Sequence, residues 1–508
     1  MILFNKNLFK YSFVSIVLIE LLSFLFFQYP AIEPWIFSLV ALAALAATIK
    51  NLEWGICIVF AELVIGSFGK ILVLPVGDWQ LPIRMVLWGI VMVVWLVNVV
   101  KKRRIEFFHS QLFKPYLILA AVLGWGIVWG ILRGNNLGAI FFDVNNYLYF
   151  ALVFPVYEIF MNAPRRVPTI ILSAIAWLSV KTILLFYIFS HELFGLQDVL
   201  YAWSRKMQLA EITNIDPNAI ISRIFIQSQI WILFGLFVGL AVILNGAKRS
   251  EGSHGLQLDG AKTTGSLGKL GMTWGVATLV LFCSALVMSF SRSFWLAGLL
   301  SLLFGAILLL FFREKFKSVL IFGATSLGII GAAVLLTFGV AKFPFPPGIS
   351  SSDFLKNRAS QFKEAAANSR VAQIRPLLTG IAKHPALGSG FGTAITYQSQ
   401  DPRVLKNHPD GWYTTTAFEL GWLEMWLKIG LFGVAVYFYL LWKILKSGLW
   451  LVRHPEPAEG SRVDRYLILG GLIGLVAVAI THGLSPYLNH PLGIGVVILF
   501  SAIVDKKA

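Results

Sequence analysis

The sequence predicts an all-α polytopic membrane helix bundle of about 14 transmembrane helices, with one long extracytoplasmic loop carrying short helices. Three observations predict it. Hydrophobic residues make up 57% of the chain and charged residues only 13%, with a mean hydropathy of +0.76, whereas soluble domains are about 45–50% apolar. Apolar runs follow one another almost end to end, and short basic clusters abut their ends. In hydrocarbon every backbone N–H and C=O must be satisfied within its own segment, so each crossing needs about 20 mainly apolar residues.

In chain order the expected spans begin with 11–28, 31–49, 52–74 and 81–100, after which Lys101-Lys102-Arg103-Arg104 marks the cytoplasmic side by the positive-inside rule. Spans 115–131 and 137–160 run out and back to Arg165 and Arg166, and 168–189 and 220–244 run out and back around a loop at 191–218. The Gly-rich polar stretch 246–271 reads as a flexible cytoplasmic linker. Spans 272–290 and 294–312 form a tight hairpin tipped by Ser291-Arg292-Ser293, and Arg313, Lys315 and Lys317 mark the return. Span 318–340 leads into the hydrophilic loop, and 421–445, 466–484 and 492–504 close the chain. With this count every short basic cluster falls on one side of the membrane. The chain thus divides into N-terminal membrane helices (1–340), an extracytoplasmic loop bearing active-site residues (341–420) and C-terminal membrane helices (421–508). The first apolar run follows Lys6 and Lys10 without a small-residue cleavage site and reads as a retained helix.

A formal charge of +17 does not imply nucleic acid here, because the basic clusters are accounted for by membrane topology. Cys57 and Cys283 both lie in apolar runs, so neither a disulfide framework nor a metal site is expected. The buried charges Glu62, Lys70, Arg84, Asp143, Glu158 and Lys181 are expected to pair within the bundle.

The loop carries the chemistry. Ser351-Ser352-Asp353 caps an expected helix over 354–367, and Asn368 or Ser369 caps a second, in which Val371, Ile374, Leu377, Leu378 and Ile381 recur at helical spacing. Arg370 then stands in a first turn, where a cation opposes the helix dipole and calls for an acidic neighbour. Arg375, five residues on, falls on another face and reads as solvated or phosphate-facing. His384 reads as structural. Gly388, Gly390 and Gly392 fit either an anion nest or a tight turn. Glu424 and Lys428, four apart, are placed to pair.

The run from Ser369 to Gly392, with Arg370, His384-Pro385, Leu387-Gly388 and Gly390-Phe391-Gly392, resembles the periplasmic-loop signature of the O-antigen ligase and polymerase superfamily. Upstream, Ser291-Arg292-Ser293-Phe294-Trp295 is similar to that family's Ser-Arg-x-x-Trp helix start, and Gly430-Leu431-Phe432-Gly433 to its Gly-x-x-Gly motif. The resemblance implies a membrane glycosyltransferase of the cytoplasmic membrane, active on its outer face. Such an enzyme moves glycan from undecaprenyl diphosphate to an acceptor hydroxyl on a glycan, lipid or protein, with inversion and with no metal or other cofactor.

A diphosphate leaving group gains negative charge as its bond breaks, and forked guanidinium donors suit that charge. Arg292 and Arg370 are the first candidates to bind it, and Arg223, expected on the outer third of its span, is the third. The remaining requirement is a base for the acceptor hydroxyl. The family's His-Asn pair is missing, and Glu419 occupies the position eleven residues before Gly430. Glu419 is the candidate base, with His408 in Asn-His-Pro-Asp-Gly as the alternative. A lipid-linked oligosaccharide flippase is the rival function, and an inactive relative that organises an assembly complex is a third.

Overall fold

A computed structural model describes residues 5–77, 79–162, 164, 166–191, 193, 195–216, 219–252, 264–312, 314, 316–343, 365–400, 402–454 and 465–505. The protein is mostly helical, and among these residues ten helices are long and apolar enough to cross a membrane. It is a multi-pass membrane protein. Three shorter apolar helices accompany them, Gln229–Asn245, Thr273–Met288 and Pro491–Val504. The chain forms two compact units, the first made of Met1–Ile105, Phe154–Ile349 and Gly448–Ala477, the second of Glu106–Val153, Ser350–Ser447 and Val478–Ala508.

In the first unit α1 (Lys6–Gln28), α2 (Glu33–Lys50) and α3 (Leu52–Ile65) lead to a hairpin of β1 (Val73–Val76) and β2 (Trp79–Pro82), and α4 (Ile83–Lys102) follows. The expected span 52–74 is therefore corrected: the helix stops at Ile65, and Gly66, Ser67 and Gly69 turn the chain into a strand. Arg84 secures that turn from inside, binding Glu62 at 2.8 Å and the carbonyl of Ser67 at 2.8 Å.

In the second unit α5 (Phe113–Leu132) and α6 (Leu137–Tyr147) come first. A short helix, α7 (Val153–Met161), carries the chain back to the first unit. There α8 (Val167–Ser190) is the central helix, with α1 and α3 packed along it. Its Lys181 pairs with Glu20 of α1, while Lys102 pairs with Glu158 and Arg166 with Glu53. Charge in the interior is thus neutralised locally, as burial in hydrocarbon demands.

After α9 (Leu196–Lys206) the strands β3 (Glu211–Asp216) and β4 (Ala219–Phe225) form an antiparallel hairpin that pairs Ile212 with Ile224 and Thr213 with Arg223. This overturns the span expected at 220–244. Its first residues, Ile220-Ile221-Ser222-Arg223-Ile224-Phe225, are rich in β-branched and aromatic types that favour a strand, and the helix α10 (Gln229–Gly252) starts only after it. Arg223 lies on a strand and not on a membrane helix. Helix α10 and α11 (Thr264–Met288) also extend into the stretch read as a linker, of which 253–263 lie outside the described residues. Helices α12 (Arg292–Phe311) and α13 (Phe316–Lys342) complete this part.

The cap at Ser351-Ser352-Asp353 and most of the helix expected over 354–367 lie outside the described residues. In the second unit the chain continues with α14 (Ala365–Lys383), a hairpin of β5 (Ile395–Gln398) and β6 (Trp412–Thr415) around the single turn α15 (Pro402–Leu405), and the long α16 (Gly421–Arg453). Helix α14 begins at Ala365, so neither Asn368 nor Ser369 is its cap and Arg370 is past its first turn. Its buried stripe is Gln373, Leu377 and Ile381, whereas Val371, Ile374 and Leu378 are exposed. Leu377 and Ile381 form one core with Phe418, Leu420 and Leu427.

Helix α17 (Arg465–Leu484) and α18 (Pro491–Val504) end the chain. Just beyond α18, Asp505 accepts from the Ser110 hydroxyl, and Ser501 shares a 2.8 Å hydrogen bond with Tyr116. Burial pushes the Asp505 carboxyl up to about 6, against hydrogen bonds from Ser110 and the backbone of Gln111 and Leu112 that pull the other way. A carboxyl raised in the fold binds its proton more tightly there than in the unfolded chain. It therefore contributes stability at acid pH that is lost as pH rises from about 4 through about 6. Thermal unfolding of the purified protein across that range should show a falling midpoint, and Asp505→Asn should flatten the fall.

Candidate active site

The second unit is built around a break in a helix. Gly430, with φ 73° and ψ 175°, interrupts α16, and the backbone groups freed there are taken by the loop that follows α14. The carbonyls of Leu427 and Lys428 accept from the N–H groups of Ser389 and Gly390 at 2.7 and 3.0 Å. Across the break, Leu431 and Phe432 donate to the carbonyls of Pro385 and Ala386 at 2.9 and 3.1 Å. Phe391 N–H reaches the Gly126 carbonyl on α5, and Gly392 N–H donates to Asp143 Oδ2 at 2.8 Å. Asn135 closes the loop through the carbonyls of Ser389 and Phe391.

This decides between the two readings of the glycines. The N–H groups an anion nest would use at Ser389 to Gly392 are all spent on protein acceptors, so the run is a turn. Gly390 requires glycine twice over: its φ is +83°, and a Cβ there would stand 2.4 Å from the backbone nitrogen of Gly130.

Beneath the loop lies a buried charge network. Lys428 Nζ is 2.7 Å from Asp143 Oδ1 and 2.5 Å from Glu424 Oε1, with all three side chains at most 7% exposed. Asn489 donates to the other oxygen of Glu424 at 3.1 Å. The expected Glu424–Lys428 pair is therefore present, and Asp143 joins it. With its oxygens bound to Lys428 and to Gly392 N–H, Asp143 ties α6 to both the loop and α16. This is structural electrostatics.

A second, more open pair joins α14 to the segment before α16. Arg370 Nε is 2.8 Å from Glu419 Oε2, with the two side chains 28% and 34% exposed. The contact is an ion pair by distance, in which the Nε–H is not aligned for a hydrogen bond. Gln373, one turn after Arg370 and buried, positions Glu419: its Oε1 accepts from Glu419 N–H at 3.1 Å, and its Nε2 donates to the Tyr397 hydroxyl at 3.0 Å. Sequence reasoning passed over Gln373, although an amide on the stripe that also buries Leu377 and Ile381 is the signal that would have found it.

The remaining candidates are placed separately. His408 is exposed in the turn before β6, its ring 6.2 Å from that of Tyr413, and Arg375 is exposed on α14. In the first unit Arg292 opens α12 after a turn in which Phe290 has φ 47° and Ser291 and Ser293 share a hydroxyl hydrogen bond. Arg223 reaches that turn from β4, its Nε donating to the Ser289 carbonyl at 3.1 Å and its guanidinium 4.7 Å from the Phe225 ring centroid. The hairpin thus brings Arg223 to the segment that carries Arg292. Among the described residues no group of three or more His, Cys, Asp or Glu side chains is placed to hold a metal ion.

Residues 277–438 match the family model described as O-antigen ligase. The matched stretch includes Arg292, Arg370, Glu419 and Lys428, and leaves Asp143 and Arg223 outside. No curated protein matches the chain.

The two charge groups should separate in stability measurements. Lys428→Met strands two buried carboxylates and should cost about 3–5 kcal/mol, whereas Arg370→Ala or Glu419→Gln breaks a half-exposed pair worth at most about 1 kcal/mol. Thermal unfolding of the detergent-purified variants reads the difference.

Proposed function

We propose, on the premise that residues 277–438 belong to the O-antigen ligase superfamily, that this protein moves glycan from undecaprenyl diphosphate to an acceptor hydroxyl through Arg370 and Glu419. That match, with the apolar helices, supports an O-antigen ligase- or polymerase-like membrane enzyme that transfers glycan. The donor, the inverting displacement and the roles below are our reading. In it the ten long helices and the three shorter apolar ones make thirteen crossings of the cytoplasmic membrane, one fewer than the sequence leads one to expect, and residues 365–420 face its outer side.

The observation that carries the reading is the Arg370–Glu419 pair. A guanidinium and a carboxylate are the two groups this displacement needs, one for the departing diphosphate and one for the proton of the attacking hydroxyl. Their mutual hold is weak, because a pair this exposed contributes at most about 1 kcal/mol. A diphosphate offers Arg370 aligned, bidentate, charge-assisted hydrogen bonds in place of a contact in which the Nε–H is misaligned, and so displaces the carboxylate.

As the donor takes Arg370, the Glu419 carboxylate exchanges that contact for the acceptor hydroxyl. Gln373 keeps the Glu419 backbone in place throughout. The acceptor oxygen attacks the anomeric carbon, its proton passes to Glu419, and the diphosphate leaves with the bonding pair, its charge held by Arg370. Arg292, whose turn Arg223 braces, is read as a diphosphate-binding cation of the first unit.

In reconstituted vesicles, Glu419→Gln should slow glycan transfer by about 10²–10⁴-fold, the usual worth of a positioned base. Arg370→Ala and Arg370→Lys should both lose activity, since lysine lacks the planar fork, with the amount of folded protein in the membrane unchanged. Wild-type transfer in Glu419→Gln or in Arg370→Ala removes the reading.

A further inference from the structure

The first unit holds a cavity of about 260 Å³, lined by Ser67, Phe68, Arg205, Gln208, Ala210, Glu211, Phe225 and Gln227. Its walls come from three places: the turn after α3, the end of α9 with the start of β3, and the junction of β4 with α10. Both polar arms are held by backbone in the left-handed region, at Ser67 with φ 50° and at Gln208 with φ 52°. Ser67 is pinned by the Ser228 hydroxyl, which accepts from its N–H at 3.0 Å, and by Arg84 on its carbonyl. Backbone held in such conformations tends to mark ligand sites.

The side chains form an unfinished hydrogen-bonding set. Gln227 Oε1 is buried and accepts no hydrogen bond, and leaving such an acceptor unmet costs about 1–3 kcal/mol. Arg205 and Glu211 line the same space, yet neither is in an ion pair with another described residue. Phe68, also in the lining, is 42% exposed. Phe225 forms a fixed wall, stacked on Phe294 at 5.8 Å.

We propose that this cavity binds one sugar ring of the transferred glycan, an assignment that rests on the glycosyltransferase reading. A pyranose carries hydroxyls that both donate and accept, and a set holding a guanidinium, a carboxylate and two amides meets both demands. An anionic headgroup would be repelled by Glu211, and an apolar chain would leave Arg205, Glu211 and Gln227 unpaired. The C–H face of a sugar matches the Phe68 ring. β4 supplies Phe225 to its wall and Arg223 to the turn before Arg292.

The test uses the full-length protein in nanodiscs, with methyl glucoside, methyl galactoside and N-acetylglucosamine as probes, read by saturation-transfer difference NMR. At least one probe should bind, and Glu211→Gln, Arg205→Ala and Phe68→Ala should each weaken it by about fivefold or more, roughly 1 kcal/mol. Glu211→Gln is isosteric, and the other two change exposed positions, so folding is not at stake. Arg370→Ala should leave the signal intact. Displacement of the probe by lipid-linked glycan identifies the ring as part of the donor, and retention identifies it as part of the acceptor. Equal binding by wild type and all three cavity variants, or no binding by any probe, overturns the assignment. Sugar binding by a protein that transfers no glycan would overturn the proposed reaction and leave the cavity standing.

Discussion

The second unit depends on the way the interruption of α16 at Gly430 is repaired. A broken helix in an apolar setting leaves amides and carbonyls that must find partners, since each orphan in hydrocarbon costs several kcal/mol. Residues 385–390 supply them on both sides of the break. That exchange fixes where α14 ends relative to the start of α16. The position of Arg370 beside Glu419 follows from it, with Gln373 and the core of Leu377, Ile381, Phe418 and Leu427 maintaining the register.

Two charge groups of this unit thus differ sharply in burial. Lys428, Asp143 and Glu424 are sealed from solvent and saturated with partners, so their charge is committed to holding the loop against α16. Arg370 and Glu419 are part-exposed, and the contact between them is an ion pair in which the Arg370 Nε–H is not aligned for a hydrogen bond. Burial separates the two groups here, where residue type does not.

The membrane bundle and the three motifs were legible in the sequence because hydropathy and motif order are local properties. So was the Glu424–Lys428 pair, which needs only helical spacing. The hairpin that carries Arg223 was not, since seven apolar-rich residues running into a hydrophobic helix read as its continuation. Only their β-branched character, and a partner strand beginning at Glu211, distinguish them. The glycine run was ambiguous for another reason: whether its N–H groups are free depends on Leu427, Lys428, Gly126 and Asp143, residues as far as about 265 positions away in the chain. The sequence called for an acidic neighbour of Arg370 on the ground of a first-turn position that Arg370 does not occupy, and the identity of that neighbour as Glu419 required the fold.

The exchange of partners at Arg370 can be measured directly as the affinity of the reconstituted protein for undecaprenyl diphosphate. If Arg370 is the diphosphate ligand and Glu419 its resting partner, Arg370→Ala should bind at least about tenfold more weakly, about 1.4 kcal/mol. Glu419→Gln should bind as tightly as wild type or more so, because the guanidinium is released. Equal affinity in wild type and Arg370→Ala, or a loss in Glu419→Gln as large as that in Arg370→Ala, would contradict the account.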